Sequence, residues 1–308
     1  MSAKLIKHSK SLVNGKEILT YELEYPRMVH AELMTHRLFS RNAASSRAIP
    51  AKKLMDLVKN SCAKPAEWGL NQAGMQAKGI HKYPWLCDMV WTMASRLAIF
   101  SAKCLQKLGL HKQIVNRGLE PYQNIKTVVT FTEGDNWFWL RDHKDADPTI
   151  QKLAREMWEA KECSIAQELD VGEYHLPYVG TYKCPEYGNV MYYLENEDQT
   201  DLTTEEAIKV STSCCAQVSY RVLDNSAEKA SKIYNQLVTM TPVHASPFEH
   251  VATPMPDPYF ADGHSYEDLA EGEHLDWKGN VWSGNLMGWT QYRQTIPNNA
   301  CWDYKSKE

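Results

Sequence analysis

The sequence lacks several features that would point to a function class at once. No apolar stretch approaches the roughly 20 residues that cross a bilayer, so no membrane partner is expected. The stretch "MSAKLIKHSKSLVNGKEI" has no apolar core of the secretory kind, and the expected location is the cytoplasm. An excess of basic charge is also missing. Lys and Arg total 34 against 38 Asp and Glu, a net charge of −4, and the pI is near 6.3. General nucleic-acid surfaces are basic, so no nucleic-acid partner is expected and any polyanion site must be local. The eight cysteines include no C-x-x-C pair and no Cys/His run at zinc spacing. No metal is expected. In a reducing compartment these cysteines are expected to be free and mostly buried, the adjacent Cys214 and Cys215 included. No P-loop, G-x-G-x-x-G or Ser-His-Asp order stands out, and no cysteine has a recognisable nucleophile setting. If the chain is an enzyme, a cofactor carries its hard chemistry.

What is present is the composition of a folded protein: 308 residues, 43% hydrophobic and 23% charged. That suffices for one large domain or two interlocked ones. In "ILTYELEY" (18–25), Leu19, Tyr21, Leu23 and Tyr25 alternate with Thr20, Glu22 and Glu24, which predicts a half-buried strand. Pro26 suits a helix start. The pairs Val29/Leu33 and Met34/Leu38 predict a helix through "VHAELMTHR", followed by a polar loop to Pro50. Residues 63–83 read as an irregular excursion. Residues 85–108 lack Gly and Pro, which predicts a long, largely buried helix. A strand follows at "IKTVVTFTEG", with Ile125, Thr127, Val129 and Phe131 on one face. A helix starts at Asp147-Pro148, its apolar stripe being Ile150, Leu153, Ala154, Met157 and Trp158. Residues 170–201 form a connection with few periodic elements. Thr203 and Glu206 spell a capping box. A helix over 226–240 turns Ala230, Ile233, Leu237 and Met240 inward. "VHASPFEH", a loop of Pro, Asp, Gly and His, and an amphipathic "NLMGWTQYRQTI" complete the pattern. The mixture is α+β or α/β, without the regular alternation of a doubly wound sheet.

Four clusters could carry chemistry. "MTHRLFSRNAASSR" (34–47) gathers three arginines with hydroxyls and an amide near a helix end. Arginine forks with loop N–H groups can hold a phosphate or a planar polar ring. A capped, solvated basic turn reads equally well from these letters. "HASPFEH" holds His244, Ser246, Glu249 and His250. The histidines are six apart, unlike the i, i+4 pair of a helical zinc site. Ligand contact and plain capping both stay open there. In "TEGDNWFWLRDHKDADP", Asn136 could pair with a pyrimidine edge and Arg141 could hold a carboxylate, phosphate or polarised carbonyl. An aromatic core segment with a surface arginine is the bland alternative. "WTQYRQTIPNN", with Gln291 and Arg293, is weak alone.

Together these segments resemble the flavin-dependent thymidylate synthases, the ThyX family. The family signature is Arg-His-Arg, seven residues, then Ser, within a longer RHRxxSxNxxSxR pattern. Here it reads "THRLFSRNAASSR", with His36, Arg37, Ser40, Asn42, Ser45 and Arg47 at matching positions. In "NWFWLR", Asn136 matches a flavin-contacting Asn and Arg141 the Arg thought to ionise the uracil ring. "HKQIVNRGLEP" resembles the family's E-x-A-R-x-x-L-P segment, with Arg117 the match for its nucleotide-binding Arg and Asn116 the rival. "CCAQVSYRV" (214–222) and "VHASPFEH" (243–250) resemble segments that precede the signature in the usual family order, but here they follow it. The chain therefore resembles a circularly permuted member, or two incomplete copies joined, nearest the longer ThyX-like proteins of bacteria and phages. Departures are Thr35 for the first Arg, Ala43 for a Glu, Glu32 for a Gln, Gln217 for an Arg, and Asp147 and Thr149 for a Gln and a Glu.

The resemblance implies an α+β fold with a central, mainly antiparallel sheet flanked by long helices, its segments in permuted order. Residues 1–170 would carry the RHR-like motif and the Asn/Arg helix. Residues 171–202 would connect, and 203–308 would hold the PFEH block and a second RHR-like helix. The implied activity is reductive methylation of dUMP to dTMP, with FAD as cofactor and NADPH and methylenetetrahydrofolate as co-substrates. Arg141 would be catalytic. Arg37, Ser45, Ser46, Arg47, Arg117, Gln291 and Arg293 would bind substrate. His36, Asn42, Asn136, His244, Ser246 and Glu249 would bind the cofactor. The C-terminal helix, with Gln291 and Arg293, is expected to supply the donors missing at Glu32 and Thr35. A homo-oligomer, dimer or tetramer, is implied, and the host cytoplasm if the source is viral. The departures leave room for hydroxymethylation, for dCMP as substrate, or for a non-catalytic nucleotide or flavin binder.

Overall fold

The computed structural model describes the chain except residues 75, 78, 187, 197–198, 220–222, 257–268 and 305–308. The end of the "CCAQVSYRV" stretch and most of the Pro/Asp/Gly/His loop lie outside the described residues. The rest is a mixture of helices and several mainly antiparallel sheets. The main sheet has five strands: β1 (Ser2–Ser11), β2 (Glu17–Pro26), β3 (Ser40–Ala43), β4 (Asn124–Phe131) and β5 (Gln167–Leu169). Their order is β3-β4-β2-β1-β5. All neighbours are antiparallel except β1 and β5.

The alternation in 18–25 does produce β2. Leu19, Tyr21, Leu23 and Tyr25 join Ile125, Val129 and Phe131 in one core. That core is closed by α1 (His30–Met34), α5 (Asp135–Arg141) and α6 (Pro148–Glu162). Asp147 caps α6 by accepting from the N–H groups of Thr149 and Ile150, with Pro148 in its first turn. Ile150, Leu153, Ala154 and Met157 are fully buried, whereas Trp158 is exposed. The strand is more than half-buried, however. Thr20 on its second face is sealed too, because a second core lies there.

That second layer holds α7 (Thr204–Ala216) and α8 (Ala227–Thr239). Thr203 and Glu206 form the expected capping box. The 171–202 connection is not structureless: it carries the sheet β6 (Gly180–Lys183), β7 (Val190–Tyr193) and β8 (Asp201–Leu202). Met240 faces out, because the chain leaves α8 in extended conformation there. A 3-10 turn (Ser246–His250) leads into β9 (Ala252–Pro254). Then come β10 (Glu273–Leu275), β11 (Val281–Ser283), β12 (Leu286–Met287) and β13 (Trp289–Gln291). The expected amphipathic helix at "NLMGWTQYRQTI" is therefore wrong. Trp289, Thr290 and Gln291 pair with β9, and only Tyr292–Thr295 coils, as one 3-10 turn.

The third group is α2 (Ala51–Asn60), α3 (Pro84–Lys107) and α4 (Lys112–Val115), packed with a 3-10 segment at Asn116–Tyr122. Here too one expectation fails. Of α3 only Ser95, Ile99 and Ala102 are buried. One face rests on its neighbours, and nothing among the described residues covers the other. No helix of the described residues is long and apolar enough to cross a membrane.

Candidate functional site

The site begins where α1 ends early. The predicted helix stops at Met34 instead of running through Arg37. The Thr35 hydroxyl donates to the Glu32 carbonyl at 2.7 Å. Arg41 reaches back from β3 and donates through Nη1 to the carbonyls of Met34 (3.0 Å) and His36 (3.2 Å). A cation on the last carbonyls of a helix satisfies groups that the helix itself cannot. Met34 and Leu38 consequently face solvent, and the polar loop expected up to Pro50 contains β3.

This turn lays residues 35–39 across α5. The His36 ring meets Trp137 edge-on at 4.8 Å, and Phe39 stacks on Phe131 at 4.4 Å. Thr35, His36, Arg37, Glu133, Asn136 and Arg141 are among the residues that line a cavity of about 200 Å³. Arg141 is held on three sides. Its Nε donates to His36 Nε2 at 3.1 Å, its Nη2 donates to Thr35 Oγ1 at 3.1 Å, and its Nη1 lies 3.6 Å from Glu32. Burial, then the charges of Arg141 and Arg41, push His36 down to about 4. It is neutral at pH 7, accepts at Nε2 and carries its proton on Nδ1. Burial raises Glu32, with Asp147 adding to the shift and Arg141 opposing it. Arg37 and Asn136 are exposed and make no hydrogen bond or ion pair among the described residues. Arg141 retains one N–H on each terminal nitrogen.

The other predicted residues fall into two further groups. Ser45, Ser46 and Arg47 lie beyond β3, at the opposite end from Arg37. Four residues of strand put roughly 13 Å between those ends. Ser46 Oγ donates to Glu120 at 2.8 Å, and buried Asn116 donates to the carbonyls of Ser46 (2.7 Å) and Ile49 (2.9 Å). Asn116 is thus a loop anchor, while Arg117 and Arg47 are exposed and unpaired among the described residues. The third group surrounds the Ser246–His250 turn. Glu249 pairs with Arg293, which also donates to the Asn299 carbonyl at 2.9 Å. Asn42 Nδ2 donates to the Cys215 carbonyl at 3.3 Å. Gln291 is buried and donates to Asn285 at 2.7 Å and Ser40 at 3.4 Å. His244 and Ser246 are exposed. Arg293 is thus engaged with Glu249, and the arginine that contacts Thr35 is Arg141. Gln291 ends β13 beside Ser40 of β3, and Arg293 follows it in the 3-10 turn.

Sequence reading missed a buried polar chain that seats this turn. His250 Nδ1 meets Thr130 Oγ1 at 2.8 Å, Thr130 meets Thr20 at 2.6 Å, and Thr20 meets His175 Nε2 at 2.8 Å. His175 Nδ1 then meets Ser9 Oγ at 2.9 Å. The three bonds between the two rings need three protons and the two threonines supply two. At least one imidazole must donate. Burial pushes His250 down to about 3 and His175 well below the usual range, so both rings are neutral. Two threonines facing the same side of β2 and β4 were the available signal. His175 gave none. Among the described residues no group of three His, Cys, Asp or Glu could hold a metal.

No protein-family profile matches the sequence, and no curated protein matches it. Solved structures do. Structural neighbours include thymidylate synthases and a UMP/dUMP methylase. A flavin-dependent thymidylate synthase ThyX from Helicobacter pylori, complexed with FAD and dUMP, is 17% identical with a TM-score of 0.34, over 47% of this chain and 67% of that one. A second structure of that enzyme with the same ligands is 18% identical, also at 0.34, with the same shares. A UMP/dUMP methylase PolB from Streptomyces cacaoi, bound with 5-Br UMP, is 16% identical at a TM-score of 0.40, over 52% of this chain and 88% of that one.

Proposed function

We propose that this chain is a ThyX-like enzyme that reductively methylates dUMP to dTMP with FAD, NADPH and methylenetetrahydrofolate, its family segments in permuted order. One observation carries the reading. His36 and Arg37, from one signature-like segment, share a cavity with Asn136 and Arg141 from another, about a hundred residues away. Arg37 and Asn136 line that cavity, are exposed and have no internal partner among the described residues, so their donors are free to meet a ligand.

The donor set fits part of a flavin. Asn136 offers an amide donor and acceptor to the flavin edge, and Arg37 beside it offers a fixed cationic fork to the nucleotide. The cavity is below the several hundred Å³ of a whole-ligand pocket, so it takes a ring edge or a phosphate. Bound FAD would supply the hydride. The chain's own residues do the rest. Arg141, oriented by neutral His36 and by Thr35, sets positive charge where an ionised pyrimidine gathers negative charge. Arg37 holds the phosphate. His36 works as an acceptor and moves no proton at neutral pH. Arg47 and Arg117, with Ser45 and Ser46, form a second anion-binding edge at the far end of β3. Gln291 and Arg293 support Ser40 and Glu249 from behind. Asn42, His244, Ser246 and Glu249 make the proposed cofactor side of the Ser246–His250 turn.

A second reading has its own observation. Glu32 stands beside Arg141, and a carboxylate accepts from the exocyclic amine of cytosine. dCMP is the substrate that this pair would favour over dUMP. One experiment tests both readings: product analysis with dUMP and with dCMP, each with NADPH and methylenetetrahydrofolate. A yellow protein that converts dUMP supports the first, and conversion of dCMP alone supports the second. A colourless protein that binds neither nucleotide ends both.

A further inference from the structure

An unexplained apolar surface lies on the outer face of α3, opposite the 3-10 segment that carries Asn116 and Arg117. This 24-residue helix is about 36 Å long. Its inner face, around Ser95, Ile99 and Ala102, packs on α2 and the 3-10 segment. Its outer face is apolar. Val90 is 57% exposed, Met93 58%, Leu97 66% and Phe100 66%. Leu86 and Cys104 extend the line, and Trp85 and Met89 flank it. These eight side chains leave an unbroken apolar strip in water from Trp85 to Cys104. An ordinary monomer shows a few hundred Å² in its largest patch, whereas a standard interface takes about 800 Å² from each partner.

The spacing says what kind of surface would cover it. Leu86, Val90, Met93, Leu97, Phe100 and Cys104 follow one another at alternating steps of four and three. That 3.5-residue period is the seam of a helix that packs on another helix along its length. One edge of the seam carries small residues, Cys87, Ala94 and Ser101, which permit close approach. The only acid on the helix, Asp88, is already paired with Lys64. Arg96, Lys103 and Lys107 leave the seam's flanks basic.

We propose that α3 pairs with α3 of a second copy of this chain, antiparallel, about a two-fold axis between Met93 and Leu97. The seam is self-complementary in that arrangement. Met93 faces Leu97 of the second copy, Val90 faces Phe100, and Leu86 faces Cys104, with small against large at both ends. A two-fold contact uses the same patch on both copies. The antiparallel direction also separates Lys103 and Lys107 from their equivalents and sets the helix dipoles opposed. A parallel pair would crowd both. None of this rests on the proposed activity.

The full chain, at tens of micromolar, is expected to sediment at twice its 35.3 kDa mass or a multiple of that. Leu97→Glu and Val90→Glu are expected to lose the two-chain species while keeping the far-ultraviolet dichroism of the wild type, since neither touches the core. In a Cys87→Ser background, Leu86→Cys is expected to cross-link to the native Cys104 of the second copy on oxidation, and the same variant carrying Cys104→Ser is not. In a parallel pair Leu86 would face its own equivalent, and Leu86→Cys would cross-link without Cys104. A wild-type chain at single-chain mass overturns the proposal, and so does a dimer that both glutamate variants leave intact. A single-chain protein that binds vesicles of phosphatidylserine and phosphatidylcholine would reassign the face to a membrane surface. A dimer in which Leu86→Cys gives no cross-link that depends on Cys104 would overturn the antiparallel direction.

Discussion

The turn at Thr35–Phe39 meets Arg141 from α5, with Glu32 of the preceding α1 beside it, whereas the turn at Tyr292–Thr295 carries its own Arg293 and meets Glu249 from the Ser246–His250 turn. They differ in what is left over. Beside the first, Arg141 is shared among His36, Thr35 and a glutamate 3.6 Å away, and Arg37 and Asn136 reach the cavity unpaired. Beside the second, Arg293 is closed onto Glu249 and the Asn299 carbonyl, and neighbouring Gln291 is buried among Asn285, Ser40 and Gln294. Similar letters thus give one open set of donors and one satisfied set. Open, solvent-facing donors add little to stability and can serve a ligand. Satisfied donors hold the fold.

Four experiments bear on that contrast, taken from the largest expected effect to the smallest. Arg141→Ala should lower thymidylate formation by about 10²- to 10³-fold, the size of one lost preorganised donor. Arg141→Lys should recover little, because a point charge cannot meet His36, Thr35 and a substrate at once. Turnover within a few-fold of wild type would remove Arg141 from the proposed site. Arg37→Ala should weaken dUMP binding about 10- to 100-fold by calorimetry, and should change stability by less than about 0.5 kcal/mol. If it lowers stability instead, the first turn is no more open than the second.

Arg293→Ala is the mirror image. It strips Glu249 of its cation in a partly buried place and should cost about 1–3 kcal/mol in chemical denaturation. A denaturation curve that overlays the wild type would dissolve the comparison from the other side. The last experiment is a pH series. His36 is held at about 4 in the folded chain, below its ordinary 6.5. Its contribution is therefore complete above pH 6.5 and is lost as pH falls toward and through 4. Stability should drop by about 1.4 kcal/mol per pH unit for each such ring in that window. His250, at about 3, extends the loss to lower pH. His36→Asn should flatten the slope by one ring's share, and an unchanged slope would show that His36 is not held neutral.

Legibility followed how local each cause was. The β2 alternation, the Asp147 cap and the Thr203/Glu206 box were readable, because each depends on residues within a turn or two. Of the cysteines expected to be mostly buried, only Cys214 and Cys215 are, since burial depends on distant neighbours. The end of α1 was not readable. It is decided by Arg41 and by Trp137, which arrive from a strand and from another helix. The "GWTQYRQTI" segment was misread for the same reason: β9, nearly forty residues earlier, takes its backbone hydrogen bonds. Helix α3 was placed correctly but its burial was not. A run of apolar residues predicts that some surface must cover a helix, and cannot say whether that surface belongs to the same chain.

The sequence by itself determined the element types wherever side-chain period and caps act over short range. It also determined that any anion site here must be local, since the net charge is slightly negative. Only the tertiary structure decided which arginine stands beside Thr35, which polar groups stay unpaired, and that Arg37 and Arg47 lie at opposite ends of β3. The physical reason is that hydrogen-bond satisfaction is a property of neighbours in space. Arg37 and Arg293 differ in what they can still bind because a carboxylate from a distant segment has already reached Arg293.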